Sequence, residues 1–279
     1  MSLKGIAKET TKIIEEGKYT TPSGKTVHIE QEQNQAEKGT ILYTPEEATK
    51  LLNKENKCKP NQPVIEVIHG KTQEISRRIV QSEDCSDLVI LNCASARNPG
   101  GGFVNGAKAQ EEDLARCSGL YTCLLTQPEY YEVNRRQSSL LYTDHLIFSP
   151  DVPWFRSGNR DLLEDPFSAS VITAPAPNAG QALRRDPKAG DAIEEALRRR
   201  AGMVLAIARE NNRRSLLLAA WGCGVFRNNP EMVADAFGSW IESPFFEGCF
   251  DRIYFGIYDR SKDQGTINAF KDRFSINDE

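Results

Sequence analysis

The chain has 279 residues, 39% hydrophobic and 8% aromatic, enough apolar side chain to bury one large core and too much for a disordered chain. Lys and Arg total 35 against 39 Asp and Glu, and the net charge of -4 excludes a broad basic field for holding long nucleic acid, so no direct DNA binding is expected. The longest apolar runs, 203–208 and 216–221, are too short to cross a bilayer, and the opening Met-Ser-Leu-Lys-Gly-Ile-Ala-Lys lacks a signal-peptide core. A soluble intracellular protein with no membrane partner is expected, cytoplasmic, or nuclear in a eukaryote.

In chain order, a polar helix is expected over residues 2–17, a short hairpin around Val27–Ile29, and a helix opened by Thr44-Pro45-Glu46-Glu47, which fits a capping box. Residues 1–60 are read as a mostly helical accessory region packed on a core domain of residues 61–279. From residue 64, apolar β-branched runs alternate with helical patterns: Val64–Ile68, helix 72–82, Leu88–Asn92, helix 110–126, Val171–Ala174 and helix 187–212. Leu216–Ala220, helix 230–243, Ile253–Tyr258 and helix 262–274 complete the series. These strands are apolar along most of their length, so helices must cover both faces, and a three-layer α/β/α sandwich follows. Asp186-Pro187 and Asn229-Pro230 each place a cap before a first-turn proline, and Ser261–Gln264 matches a second capping box.

Two loops stand out for chemistry. After the strand Leu88–Asn92, where a sheet of this type exposes its ligand crevice, comes Cys93 and then Gly100-Gly101-Gly102. Three consecutive glycines suit a ligand approaching bare backbone or positive φ, and an ordinary surface turn is the alternative. After a seven-residue spacer Gln110-Glu111-Glu112-Asp113 opens a helix, so the carboxylates occupy its first turn, where acids also occur simply to favour the helix dipole. Gly106 falls one position too late for G-x-G-x-x-G, and no G-K-[ST] carries the P-loop spacing. The second loop runs Trp221-Gly-Cys-Gly-Val-Phe-Arg-Asn-Asn229 into the helix at Pro230. Free backbone N–H groups and a helix start can cradle a diphosphate without lysines; Gly222 and Gly224 permit close approach, and Phe226 offers a face to a sugar or base unless it packs into the core. The seven cysteines form no C-x-x-C pair and the three histidines, His28, His69 and His145, no cluster, so free thiols, no metal and no cofactor are expected.

Together the two loops resemble the macrodomain fold, which implies that the sandwich has a mixed central sheet, and Gly100-Gly101-Gly102, a spacer, then Gln110-Glu111-Glu112 resembles the signature of poly(ADP-ribose) glycohydrolases. The string Ala-Arg-Asn-Pro-Gly-Gly-Gly-Phe at 96–103, Tyr-Thr-Asp-His at 142–145, Ser-Pro-Asp-Val-Pro at 149–153, Ala-Pro-Asn-Ala-Gly at 176–180 and Trp-Gly-Cys-Gly at 221–224 resemble the compact, microbial-type branch. The resemblance implies hydrolysis of ribose–ribose bonds in poly(ADP-ribose), mainly from chain termini, on polymer carried by modified proteins, in reversal of ADP-ribosylation and the response to DNA damage. It implies Glu112 as the catalytic acid, Glu111 on a ribose hydroxyl, Gln110 fixing geometry and Asn98 at the distal ribose. It further implies Gly100–Gly102 and Val225–Phe226 enclosing the diphosphate and terminal ribose. Arg227 departs from the small residue expected there, and Tyr258 is a candidate for the adenine.

The chemistry suits these residues. A ribose–ribose bond needs a proton on the departing oxygen and then an activated water, and one carboxyl can serve both steps. A helix start favours the carboxylate form, so like charge from Glu111, Asp113 and a bound diphosphate is expected to hold the proton on the acid in the substrate complex. Two other readings are a macrodomain that binds ADP-ribose without chemistry, which needs no paired acids beside the phosphate site, and a hydrolase removing single ADP-ribose units from proteins.

Overall fold

The computed structural model describes residues 2–82, 85–158 and 161–275. The chain begins with α1 (Leu3–Glu16), capped by the Ser2 hydroxyl and ended by Gly17 at φ 65°. The hairpin β1 (Lys18–Thr20) and β2 (Thr26–His28) follows, with Tyr19 opposite Val27, and then α2 (Glu30–Gly39) and β3 (Ile41–Tyr43). The capping box forms as expected at α3 (Pro45–Leu52): Thr44 accepts from Glu47 N–H while the Glu47 carboxylate accepts from Thr44 N–H.

The next elements are β4 (Val64–His69), α4 (Thr72–Ser82), β5 (Leu88–Ala94), α5 (Gln110–Cys117), α6 (Leu120–Leu125), α7 (Pro128–Arg136), β6 (Leu146–Arg156) and β7 (Leu162–Pro175). The chain closes with α8 (Ala179–Arg185), α9 (Gly190–Glu210), β8 (Ser215–Ala219), α10 (Pro230–Ile241), β9 (Arg252–Ile257) and α11 (Gly265–Phe274). Seven strands form one sheet in the order β3-β6-β7-β5-β8-β9-β4. Strands β7, β5, β8, β9 and β4 run parallel, whereas β3, β6 and β7 pair antiparallel. The sheet is therefore mixed, its parallel part built from the apolar runs and its antiparallel edge from β3 and β6.

Apolar residues on both faces of each central strand explain the three layers. Val89, Leu91, Leu216, Leu218, Ile253 and Phe255 point into a core shared with α3, α9, α10 and α11. Their alternates Leu88, Ile90, Leu217 and Tyr254 enter a second core with α2, α4, α5, α6 and α7. Residues 1–60 do not sit apart from this sheet, since β3 supplies its edge, pairing Leu42 with Ile147. Among the described residues no helix is long and apolar enough to cross a membrane.

Several sequence expectations are corrected. The helix expected over 110–126 breaks at Ser118, whose backbone is extended at φ -145° and bridges Trp154, so α5 and α6 are separate. Residue 187 does not open a helix: Asp186 ends α8, its carboxylate accepts from Lys188 N–H, and α9 starts at Gly190. The capping box at 261–264 is absent because Asp259 takes the donors instead, accepting from Ser261, Thr266 and Ile267 N–H. Strand β7 is far longer than the expected Val171–Ala174, and its partner β6 was not read as a strand.

Candidate active site

Both singled-out loops leave the C-terminal ends of neighbouring parallel strands, the first from β5 and the second from β8. That places them together at one edge of the sheet, where loops between parallel strands and helices expose a crevice. Cys93, at the end of β5, links them: burial pushes its thiol up to about 12, opposed by the Gly222 N–H beside it and reinforced by the charge of Glu111.

The first loop is built around two carboxylates. Gly100 and Gly101 adopt φ 64° and 59°, and a Cβ on Gly101 would lie 2.5 Å from Glu112 Oε1 and 3.0 Å from Glu111 Oε2. Glycine is thus required there by conformation and by the close passage of both acids. Gly102 N–H donates to Glu112 Oε1 at 2.8 Å, while Glu112 Oε2 is buried with no hydrogen-bond partner among the described residues. Such an orphaned carboxyl oxygen carries a desolvation cost unless something from outside meets it. Glu111, 3% exposed, accepts from Ser95 N–H at 2.7 Å and from Asn92 Nδ2 at 3.3 Å. Burial pushes Glu111 up to about 8; the Ser95 N–H opposes the rise, and the charge of Glu112 adds to it.

Gln110 is committed to the scaffold. Its Oε1 accepts from Cys93 N–H at 2.8 Å and its Nε2 donates to the Leu91 carbonyl at 2.7 Å, which pins the start of α5 to the end of β5. Asn98 is exposed at the outer turn of the loop, where its carbonyl accepts from Gly101 N–H.

The second loop leaves its donors open. Val225 is 85% exposed, Gly224 has open space where a Cβ would stand, and the N–H groups of Gly224, Val225 and Phe226 meet no acceptor among the described residues. Gly222, at φ 73°, passes so close to Asn228 Nδ2 that a Cβ would sit 2.2 Å from it. Asn228 in turn donates to the Pro177 and Trp221 carbonyls and fixes the loop from below. Phe226 is half-buried, its ring 6.1 Å from that of Tyr142, and its carbonyl accepts from Gly180 N–H at the start of α8. Arg227 takes φ 57° and lays its stem against Gly180. Tyr258 is exposed after β9, with Lys71 Nζ 5.5 Å above its ring.

Sequence reasoning missed Asn92, Ser95, Tyr142 and Asn228. Asn92 left one signal, a polar residue inside an apolar strand; the Tyr142 segment was noticed, but its positive φ of 61° and its contact with Phe226 arise only in three dimensions.

Open backbone donors, two glycine-bearing loops and a buried acid pair at the crevice of an α/β/α sandwich define a macrodomain-like enzyme acting on an anionic nucleotide-sugar. The family described as microbial-type PARG, catalytic domain, matches residues 7–157, and the chain belongs to this family of poly(ADP-ribose) glycohydrolases. The chain is similar to the crystal structure of poly(ADP-ribose) glycohydrolase from Thermomonospora curvata, at 42% identity and TM-score 0.92, covering 98% of this chain and 99% of that one. The same enzyme bound to the inhibitor ADP-HPD matches at 42% identity and TM-score 0.89, with the same coverage. The enzyme from Deinococcus radiodurans in complex with ADP-ribose is 41% identical, with TM-score 0.81, covering 87% of this chain and 96% of that one. Among curated proteins none matches.

Proposed function

We propose that this protein hydrolyses the ribose–ribose O-glycosidic bonds of poly(ADP-ribose), mainly from chain termini, releasing ADP-ribose from polymer carried by modified proteins. Its relatives from Thermomonospora curvata and Deinococcus radiodurans are poly(ADP-ribose) glycohydrolases, one bound to ADP-HPD and the other to ADP-ribose. The observation that carries the mechanism is the Glu112 carboxyl, held through Oε1 by Gly102 N–H, with Oε2 buried and unmet.

In this reading the second loop's N–H groups and the Gly100–Gly102 backbone take the diphosphate, and Phe226 rests against the terminal ribose. Glu112 gives its proton to the departing ribose oxygen as the glycosidic bond breaks, and the nearby diphosphate offsets the positive charge growing on the sugar ring. Water then attacks the ring carbon and Glu112, now a carboxylate, takes its proton. Burial pushes Glu111 up to about 8, so near neutral pH it does not supply the like charge expected from the sequence to hold the proton on Glu112, and the bound diphosphate is left to do so. Gln110 serves by holding α5 against β5 rather than by touching substrate. Residues 61–279 carry the catalytic residues in this account, while residues 1–60 add the edge strand β3 and pack α1 against the glycine loop.

The test is incubation of poly(ADP-ribose) with wild type, Glu112→Gln and Phe226→Ala, following ADP-ribose by chromatography and binding by calorimetry. Glu112→Gln is expected to retain ADP-ribose affinity and lose about 10²–10⁴-fold in kcat, and Phe226→Ala to raise KM. A wild type that binds ADP-ribose without releasing it from polymer is a reader, and one that acts only on mono-modified protein is a different hydrolase.

A further inference from the structure

Several arginines of this acidic chain are neutralised by neighbours: Arg156, Arg199, Arg200, Arg213, Arg214 and Arg273 each hold a carboxylate at 2.6–3.1 Å. Arg97, Arg135, Arg184 and Arg185 hold no carboxylate, as is true also of Arg78, Arg227 and Arg260 among the described residues. The first four are all exposed.

Arg97, Arg135 and Arg185 are tied to the loops at the crevice rim, and Arg184 neighbours Arg185 on α8. Arg135 Nη1 donates to the Arg97 carbonyl at 2.7 Å, which brings the end of α7 onto the glycine loop. Arg185 Nη1 donates to the Ser138 carbonyl at 3.3 Å, just past the end of α7, and Asn178 N–H joins the start of α8 to the Leu140 carbonyl. The acids beside the run are engaged elsewhere: Glu132 pairs with Arg136 at 3.3 Å, and Asp186 accepts from Lys188 N–H at 2.9 Å. The run begins beside Asn98, the residue that the family resemblance puts at the distal ribose.

We infer that Arg97, Arg135, Arg184 and Arg185 form a track for the diphosphate of the polymer unit next to the one being released. The inference rests on the reading of poly(ADP-ribose) as substrate. Planar guanidinium groups match phosphate oxygens in pairs, and an exposed track of this kind weakens with salt. The cradle alone recognises one ADP-ribose; the track makes a longer chain the better ligand.

The experiment measures kcat and KM on long polymer, and ADP-ribose binding by calorimetry, for wild type, Arg135→Glu, Arg185→Glu and Arg185→Lys at two salt concentrations. The charge reversals are expected to raise polymer KM about tenfold, the factor that 1.4 kcal/mol of lost binding gives, with kcat within about twofold and ADP-ribose affinity as in wild type. Arg185→Lys, which keeps the charge but loses the paired guanidinium geometry, should fall between wild type and the reversals, and raising the salt should weaken wild type more than the reversals. Unchanged polymer KM in both reversals, or a parallel loss of ADP-ribose affinity, overturns the track. Oligoadenylate competing as well as polymer in wild type and not in the reversals would assign the track to RNA and also overturn it. A wild type that releases no ADP-ribose sinks the hydrolase reading instead, and calorimetric titration of polymer into the same variants still decides the track.

Discussion

At Gly101 two demands meet in one residue, a φ of 59° and a space already occupied by two carboxylate oxygens. Gly101→Ala adds a methyl 2.5 Å from Glu112 Oε1, so the acid or the loop must move. A shift of about 1 Å at a reacting group costs on the order of 100-fold, and that loss in kcat is expected with the far-UV circular dichroism unchanged. Normal kcat in this variant would mean that the acid works from some other position. Glu111 makes a second prediction. Its folded value of about 8 stands above the unfolded one of about 4.3. The folded state therefore holds the extra proton, and wild-type stability must fall as pH rises from about 4 to 8. Glu111→Gln cannot titrate, so its melting midpoint between pH 5 and 9 should slope less; equal slopes for the two proteins would place the raised acid elsewhere.

At the scale of elements, α1 shows how the N-terminal region reaches the site. Ala7 is buried against Phe103 and Ala115, Thr10 Oγ1 donates to the Arg116 carbonyl at 2.9 Å, and Glu9 pairs with Arg156 at 2.9 Å. The helix thus backs both the glycine loop and α5. Ala7→Leu overfills this contact at a cost of about 1–3 kcal/mol, and kcat/KM should fall several-fold as Phe103 is displaced. A lowered melting midpoint with normal kcat/KM would reduce α1 to a stability role. The sequence disclosed β5, β8 and β9 because both faces of each are apolar, and it disclosed the acid pair because glycines and helix start lie within one short stretch. Strand β6 escaped because Pro150, Asp151, Pro153 and Arg156 interrupt its apolar pattern, and Glu164, Asp165 and Pro166 do the same at the start of β7. Ser118 escaped because its break in the helix depends on Trp154, which comes from a distant strand. What was legible lay in local chemistry, and what was not needed a partner far along the chain.

Across the whole molecule, one buried ion pair ties the crevice to the back layer. Arg200 is 0% exposed; its Nε donates to Asp144 Oδ1 at 2.6 Å, Nη1 to the Pro175 carbonyl at 2.7 Å, and Nη2 to the carbonyls of Leu141 and Tyr142. Arg199 Nε holds the other Asp144 oxygen at 2.6 Å. One cation on α9 therefore fixes the end of β7 and the segment carrying Tyr142, the residue against Phe226. Removing the anion leaves a buried guanidinium short of its counter-charge, which costs about 3–5 kcal/mol. Asp144→Asn should accordingly lower the melting midpoint by roughly 10 °C in a chain of this length. Burial pushes the Asp144 carboxyl up, but the Arg199 hydrogen bond and the Arg200 charge outweigh it and leave the group below its ordinary value. A depressed acid stabilises the fold above its unfolded value of about 3.9 and loses that contribution as pH falls through the lower folded value. The gap between wild type and Asp144→Asn should therefore be full at pH 7 and shrink below about pH 4, where wild type also loses the charge. Because the Tyr142 carbonyl hangs on the same guanidinium, the variant should also raise KM for polymer at neutral pH. A gap that stays constant into acid, or a KM that does not move, would mean that Arg200 is held by the carbonyls alone.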